Sequence, residues 1–281
     1  MKRKYLVLLQ RELWEHRALW IAPLAVGGLL TIAMMFMQNG EAPGYSFRIG
    51  LPRPGTLAAE AGAMALIGTG LFLGAVAGLV VLAYLLDCLY AERKDRSILF
   101  WKSLPVSDTQ TVLAKLAVAL VIVPAGVILL ALLLQPILAL ILYLRFDAFP
   151  AELAWKAAAG WPEGLGRLGL TWIYCLCWYL PVAAYVMMAS VLARRLPLMY
   201  AALPVVVLSM WEWMFVDGNA IRSFLHERLF PWGRSSAVLL NPRVEDRWLE
   251  AFHDPGLWVG VAVGAGMLYI VIRMRRYRDD T

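Results

Sequence analysis

The groups in this chain that could do chemistry are few and far apart. His16, His226 and His253 are scattered and no HExxH pair is present, so a zinc-hydrolase site lacks its ligand set. No GxSxG-type nucleophile lies in an apolar run. A GxxxxGK[ST] phosphate loop is also missing: the Lys102-Ser103 pair follows Trp101 rather than a glycine-rich turn. The expectation is that the chain is not an enzyme, holds no cofactor or metal of its own, and does not hydrolyse ATP alone. Cys175 and Cys177 stand two apart in an apolar run, where helix neighbours point to different sides, so ordinary packing is expected of them. Ion-driven carriers keep ionisable groups at the bilayer midplane, because such groups are costly there. Here the apolar runs offer only Gln135, a few Ser and Thr, several Tyr, and Glu212 near one end. Proton- or sodium-coupled transport is disfavoured, and Glu212 reads as an interfacial carboxylate near Trp211, Trp213 and outer-loop arginines.

The stretch left to explain is AERKDRSILFWKSLPVSDTQTVLAKL, Ala91 to Leu116, where Glu92, Arg93, Lys94, Asp95, Arg96, Lys102 and Asp108 crowd around Ile98, Leu99, Phe100 and Trp101. The elements that must position it follow from composition. Over 281 residues, 61% are hydrophobic and 16% charged, too little polar surface for a soluble domain of this size. Charge-free runs of the length a spanning helix needs, about 20 residues, recur along the chain. They predict an all-α polytopic membrane protein with six transmembrane helices, over 18–37, 61–86, 113–144, 168–193, 196–216 and 255–272. Barrel strands are not expected, since the period-two alternation is lacking.

Lys and Arg counts in the short loops set the orientation. With both termini cytoplasmic, the inner segments hold 16 basic residues and a net +8, against 10 basic residues outside. The net charge of +6 therefore reflects topology, and no nucleic-acid partner is expected. The start Met1-Lys2-Arg3-Lys4 precedes an apolar run without a small-x-small cleavage site, so the first helix is expected to be retained.

Between the spans, residues 1–17 read as an amphipathic interface helix with Leu6, Leu9, Leu13 and Trp14 on one face and Lys4, Arg11, Glu15 and Arg17 on the other. Gly62, Gly70, Gly74 and Gly78 in the second span, and Gly256, Gly260 and Gly264 in the sixth, form small-residue stripes that admit another helix. Pro124 and Pro136 predict a kinked third span. The loop over 217–254 contains IRSFLHERLFPWG and VEDRWLEAF, two short amphipathic helices. In the charged stretch, Asp95 or Ser97 can cap a short helix that Pro105 ends, and Ser107-Asp108-Thr109-Gln110 matches a capping box that starts the third span. The expectation is a stiff elbow at the inner surface, 92–107.

At these residues the sequence resembles the type-2 ABC exporter permeases, six-helix subunits that pair with a separate nucleotide-binding ATPase. The likeness rests on Glu92, the apolar Ile98-Leu99-Phe100-Trp101, Leu104-Pro105-Val106-Ser107 and Lys115, which are similar to that family's "E…LL…P.S…K" segment. Arg96-Ser97 stands where many members have Gly-Thr. The resemblance implies that 92–107 is a coupling helix, with Glu92, Arg93, Lys94, Arg96, Ile98, Leu99, Trp101, Lys102, Leu104 and Pro105 docking on the ATPase. It implies ATP and magnesium on that partner, a second permease protomer, and a multi-pass place in the bacterial cytoplasmic (inner) membrane. An apolar or amphipathic cargo suits the oily spans. The alternative is a membrane scaffold or sensor that transports nothing and recruits a cytoplasmic partner through the same elbow.

Overall fold

A computed structural model describes residues 2–36, 57–95, 106–146, 161–216, 218, 220–229 and 250–277. Among them the regular structure is helical throughout: α1 (Lys2–Glu15), α2 (Ala18–Phe36), α3 (Leu57–Asp87), α4 (Tyr90–Lys94), α5 (Asp108–Ala117), a π-helical turn (Val118–Ile122), α6 (Val123–Phe146), α7 (Trp161–Leu192), α8 (Pro197–Phe215), α9 (Ala220–Leu229), a 3₁₀ turn (Glu250–His253) and α10 (Pro255–Tyr277). Six stretches are long and apolar enough to cross a membrane: Ala18–Phe36, Thr69–Lys94, Asp108–Ile141, Gly169–Leu192, Pro197–Phe215 and Pro255–Tyr277. The chain is a multi-pass membrane protein. Its large exposed apolar residues, among them Leu29, Phe72, Leu133, Val206 and Val263, are what such helices turn to lipid.

The chain divides into two compact units. The first comprises Met1–His16, Val81–Ile122 and Arg167–Thr281, the second Arg17–Val80 and Val123–Gly166. In the second unit α2 packs on α6. Leu19, Pro23 and Gly27, spaced four apart on one face, are the buried residues of α2, and Gly27 leaves room for the side chains of Leu130 and Leu134.

In the first unit α5 is the hub, packed against both α1 and α10. It begins with the capping box expected from sequence. Ser107 Oγ accepts from the Gln110 N–H at 3.2 Å, and the Gln110 side chain accepts from the Ser107 N–H at 3.2 Å. Ten residues on, the helix widens into the π turn just before Pro124, whose missing N–H and bulky ring cannot follow the α pattern back to Leu120. The Leu120 carbonyl instead accepts from Trp172 Nε1 at 3.4 Å. This local widening precedes the first of the two prolines expected to kink the span.

The sixth helix uses its glycines within the chain. Buried residues of α10 fall at Leu257, Gly260, Gly264, Leu268, Val271 and Arg275, a continuous stripe at three- and four-residue spacing. A Cβ on Gly264 would lie 3.0 Å from Pro181 N and 3.2 Å from the Leu180 carbonyl carbon, so hydrogen at this position is what lets α10 and α7 backbones meet. The glycines of the second span differ: Gly70, Gly74 and Gly78 have no neighbouring atom within 4 Å of where a Cβ would be.

The face of α1 turned into the protein holds Leu8 and Glu12, while Leu6 and Trp14, from the apolar face expected of an interface helix, are 65% and 68% exposed. The cause is electrostatic, because Glu12 is drawn to a buried lysine described below. Glu212 stands in the last turn of α8. It is buried, and its carboxylate accepts from the backbone N–H groups of Ala220 and Ile221, the latter at 2.9 Å, which caps α9 at the end where helix donors lack partners.

Candidate functional site

Among the described residues the most unusual chemistry is a buried ion network with α5 at its centre. Lys115 is 1% exposed. An isolated ammonium is too costly to bury, so it must be neutralised or paired. Lys115 Nζ donates to Glu12 Oε1 at 2.8 Å and Oε2 at 2.9 Å, and stands 3.1 Å from Glu92 Oε1. Glu92 Oε2 meets Arg275 Nη2 at 2.9 Å, and Arg275 Nε lies 3.2 Å from Asp108 Oδ1. The Lys115–Glu92 and Arg275–Asp108 contacts are ionic rather than aligned hydrogen bonds. Tyr84 completes the group, donating its hydroxyl to Glu12 Oε2 at 2.9 Å.

The six members are delivered by five elements. Glu12 follows Leu8 by one turn on the inner face of α1. Tyr84 and Glu92 come from the end of α3 and from α4, Asp108 and Lys115 from α5, and Arg275 from the last turn of α10. Three carboxylates thus face two cations. Burial by itself raises the Glu12 carboxyl, but the Lys115 charge, its hydrogen bonds and that of Tyr84 outweigh burial and hold Glu12 below its ordinary range. Its neighbour His16 stacks edge-on to Tyr84 at 4.8 Å, and burial, opposed by Glu12, keeps its imidazole below the usual value. Donor atoms of Glu12, Glu15 and His16 lie within 4.8 Å of one another, but Lys115 already engages both Glu12 oxygens, so a divalent cation would have to displace the ammonium.

A second tie runs beside the network. Ser190 Oγ accepts from the N–H groups of Leu89 and Tyr90 at 3.3 and 3.1 Å, and Arg93 Nη2 donates to the carbonyls of Ser190 at 2.7 Å and Ala193 at 2.9 Å. These carbonyls belong to the end of α7, where helix acceptors have no intrahelical donor, so a cation is favoured there twice over. The turn from α3 into α4 is thereby fixed to α7.

The residues singled out in the sequence fall as follows. Glu92 is buried in the network, Arg93 is half-buried against α7, and Lys94 is exposed at the end of α4. Helix α4 ends at Lys94 with Asp95 as its C-cap, and Ser97, the other expected cap, lies outside the described residues. Arg96, Ile98, Leu99, Trp101, Lys102, Leu104 and Pro105 lie outside the described residues. Glu92 and Arg93 are therefore bound within the chain. The two charged ends of the family-like segment, Glu92 and Lys115, are brought together as an ion pair.

Glu12, Tyr84 and Arg275 escaped the sequence reading. Arg275 had a detectable signal, since it prolongs the Gly260–Gly264–Leu268–Val271 stripe by four residues and so must face inward. Glu12 had a weaker one: it shares a helix face with Leu8.

A separate cluster anchors α9. Arg228 packs its guanidinium 4.3 Å from the Trp178 ring, donates to Gly256 O at 2.8 Å and Trp178 O at 3.3 Å, and sits against Gly260. Trp178 also stacks on Tyr174, which is buried with Ala251 and Leu257, and Cys175 and Cys177 pack at the edge of this core. No protein-family model, curated protein or solved structure matches the chain.

Proposed function

We propose that this chain is the membrane-spanning permease subunit of an ATP-driven ABC exporter. It moves an apolar or amphipathic substrate, pairs with a second permease protomer, and draws its energy from ATP and magnesium bound on a separate nucleotide-binding subunit. The reading rests on the likeness of Glu92 to Lys115 to the coupling segment of type-2 ABC exporter permeases. The observation that carries it is the buried bridge from Lys115 to both Glu92 and Glu12.

The mechanical consequence follows from where those ions sit. Residues 96–105 link α4 to α5 in sequence, and both flanks are held by the same charges: Glu92 on one side, Asp108 and Lys115 on the other. Buried ion pairs in a low-dielectric site resist separation, because each parted charge would stand without solvent. A push on the segment is therefore passed to α1, α5 and α10 rather than absorbed at a hinge. The apolar Ile98, Leu99, Trp101 and Leu104 supply the grip for a partner groove, with Lys94, Arg96 and Lys102 steering it.

The test is co-purification with the nucleotide-binding subunit and measurement of its ATPase rate. Trp101→Asp with Leu104→Asp is expected to abolish both association and stimulation. Unchanged association and stimulation would reject the docking role, and the absence of any nucleotide-binding protein in the pull-down would favour the scaffold reading.

A further inference from the structure

The basic end of α10 is divided between two environments. Arg275 turns inward to Glu92 and Asp108, while Arg273 and Arg276 are exposed on the opposite side. Arg273 is nevertheless held in place. Its Nε donates to the Tyr269 hydroxyl at 2.9 Å and its Nη1 to the Tyr277 hydroxyl at 3.1 Å, one helical turn to either side. Its guanidinium also lies 5.4 and 5.9 Å from the two rings, and Arg276 lies 5.8 Å from the ring of Tyr277.

The direction of these hydrogen bonds matters. Both tyrosine oxygens accept from Arg273, so both O–H groups remain to donate outward, as do the N–H groups of Nη2. Among the described residues no carboxylate pairs with Arg273 or Arg276. Among the described residues the cluster is thus an array of donors with two positive charges and no carboxylate acceptor. It stands at the end of a membrane-spanning helix. Along the same exposed side toward the other end of α10 run Val259 (62% exposed), Val263 and Ile270 (each 47% exposed), with Gly266 leaving an open notch among them.

We propose that this face of α10 is a binding site for one anionic phospholipid. The phosphodiester is held by Arg273 and Arg276 with the hydroxyls of Tyr269 and Tyr277, and an acyl chain lies along Val259, Val263, Gly266 and Ile270. Charge complementarity identifies the occupant: a membrane helix offers an apolar stripe to lipid tails, and a lipid with net negative charge answers the two exposed arginines at its end, which no carboxylate among the described residues neutralises. The tyrosines lower the ordering cost by fixing a side chain that would otherwise be free. The site makes no demand on how the protein is energised and stands whether or not the exporter reading holds.

The experiment uses the full chain in phosphatidylcholine nanodiscs doped with a photoactivatable phosphatidylglycerol or, separately, a photoactivatable phosphatidylcholine carrying the diazirine on the acyl chain. Labelled residues are mapped by mass spectrometry. The wild type is expected to label Val259 to Ile270 several-fold more strongly with the glycerol lipid. Arg273→Gln should reduce that labelling about five-fold, the effect of one surface cation on anionic lipid. Tyr269→Phe with Tyr277→Phe, which keeps both rings and removes both hydroxyls, should give a smaller loss. Inorganic phosphate should not compete. Equal labelling by the two lipids, unchanged labelling in Arg273→Gln, or displacement by inorganic phosphate would each overturn the proposal.

Discussion

Lys115 is the residue on which the first unit depends, because it is a cation with almost no exposure whose stabilisation comes from two carboxylates. Removing one member of a buried pair costs about 3–5 kcal/mol, since the remaining charge is left without a partner. Lys115→Met is therefore expected to destabilise the protein in detergent by an amount in that range, read as a lower thermal midpoint, and Glu12→Gln combined with Lys115→Met to recover part of it. Acid should act on the same contact. Glu12 is held below its ordinary value of 4.5, so the stability contributed by its ionised form is complete above that pH and is lost as pH falls through the depressed value. A pH series of midpoints should be flatter below 4.5 in Glu12→Gln than in the wild type. An equal acid slope in the two proteins would remove Glu12 from the account.

At the scale of elements, glycine stripes that look alike in sequence do different things. Gly264 lies where the α10 and α7 backbones touch, and neither backbone can retreat from an added side chain. Gly264→Val should destabilise by about 1–3 kcal/mol, the usual range for overpacking. Gly74→Ala, at a site with nothing within 4 Å, should leave the midpoint unchanged or slightly raised by helix propensity. Thermal unfolding followed by fluorescence separates the two. A similar contrast holds for helix ends. The capping box at Ser107 was readable because its partners are three residues apart. The cap on α9 was not, because Glu212 reaches Ala220 and Ile221 across a change of chain direction.

For the molecule as a whole, α1 is less an appendage than one wall of the ion network. Deleting residues 2–15 removes Glu12 and leaves Lys115 with Glu92 alone. The deletion should lower the midpoint much as Lys115→Met does, and combining the two should cost clearly less than their sum, the signature of a shared interaction. Strict additivity in a double-mutant cycle would show that α1 stabilises the protein by other contacts. Membrane class, six spans and the Ser107 cap were legible in the sequence, because solvent transfer of about 20 apolar residues and hydrogen bonds between near neighbours depend on local order alone. Glu12, Glu92, Asp108, Lys115 and Arg275 come from four elements separated by up to 263 residues, and nothing local states which charges will meet. Only tertiary packing decided that they do, because a charge withdrawn from water is stable solely beside the opposite charges that the folded helices bring to it.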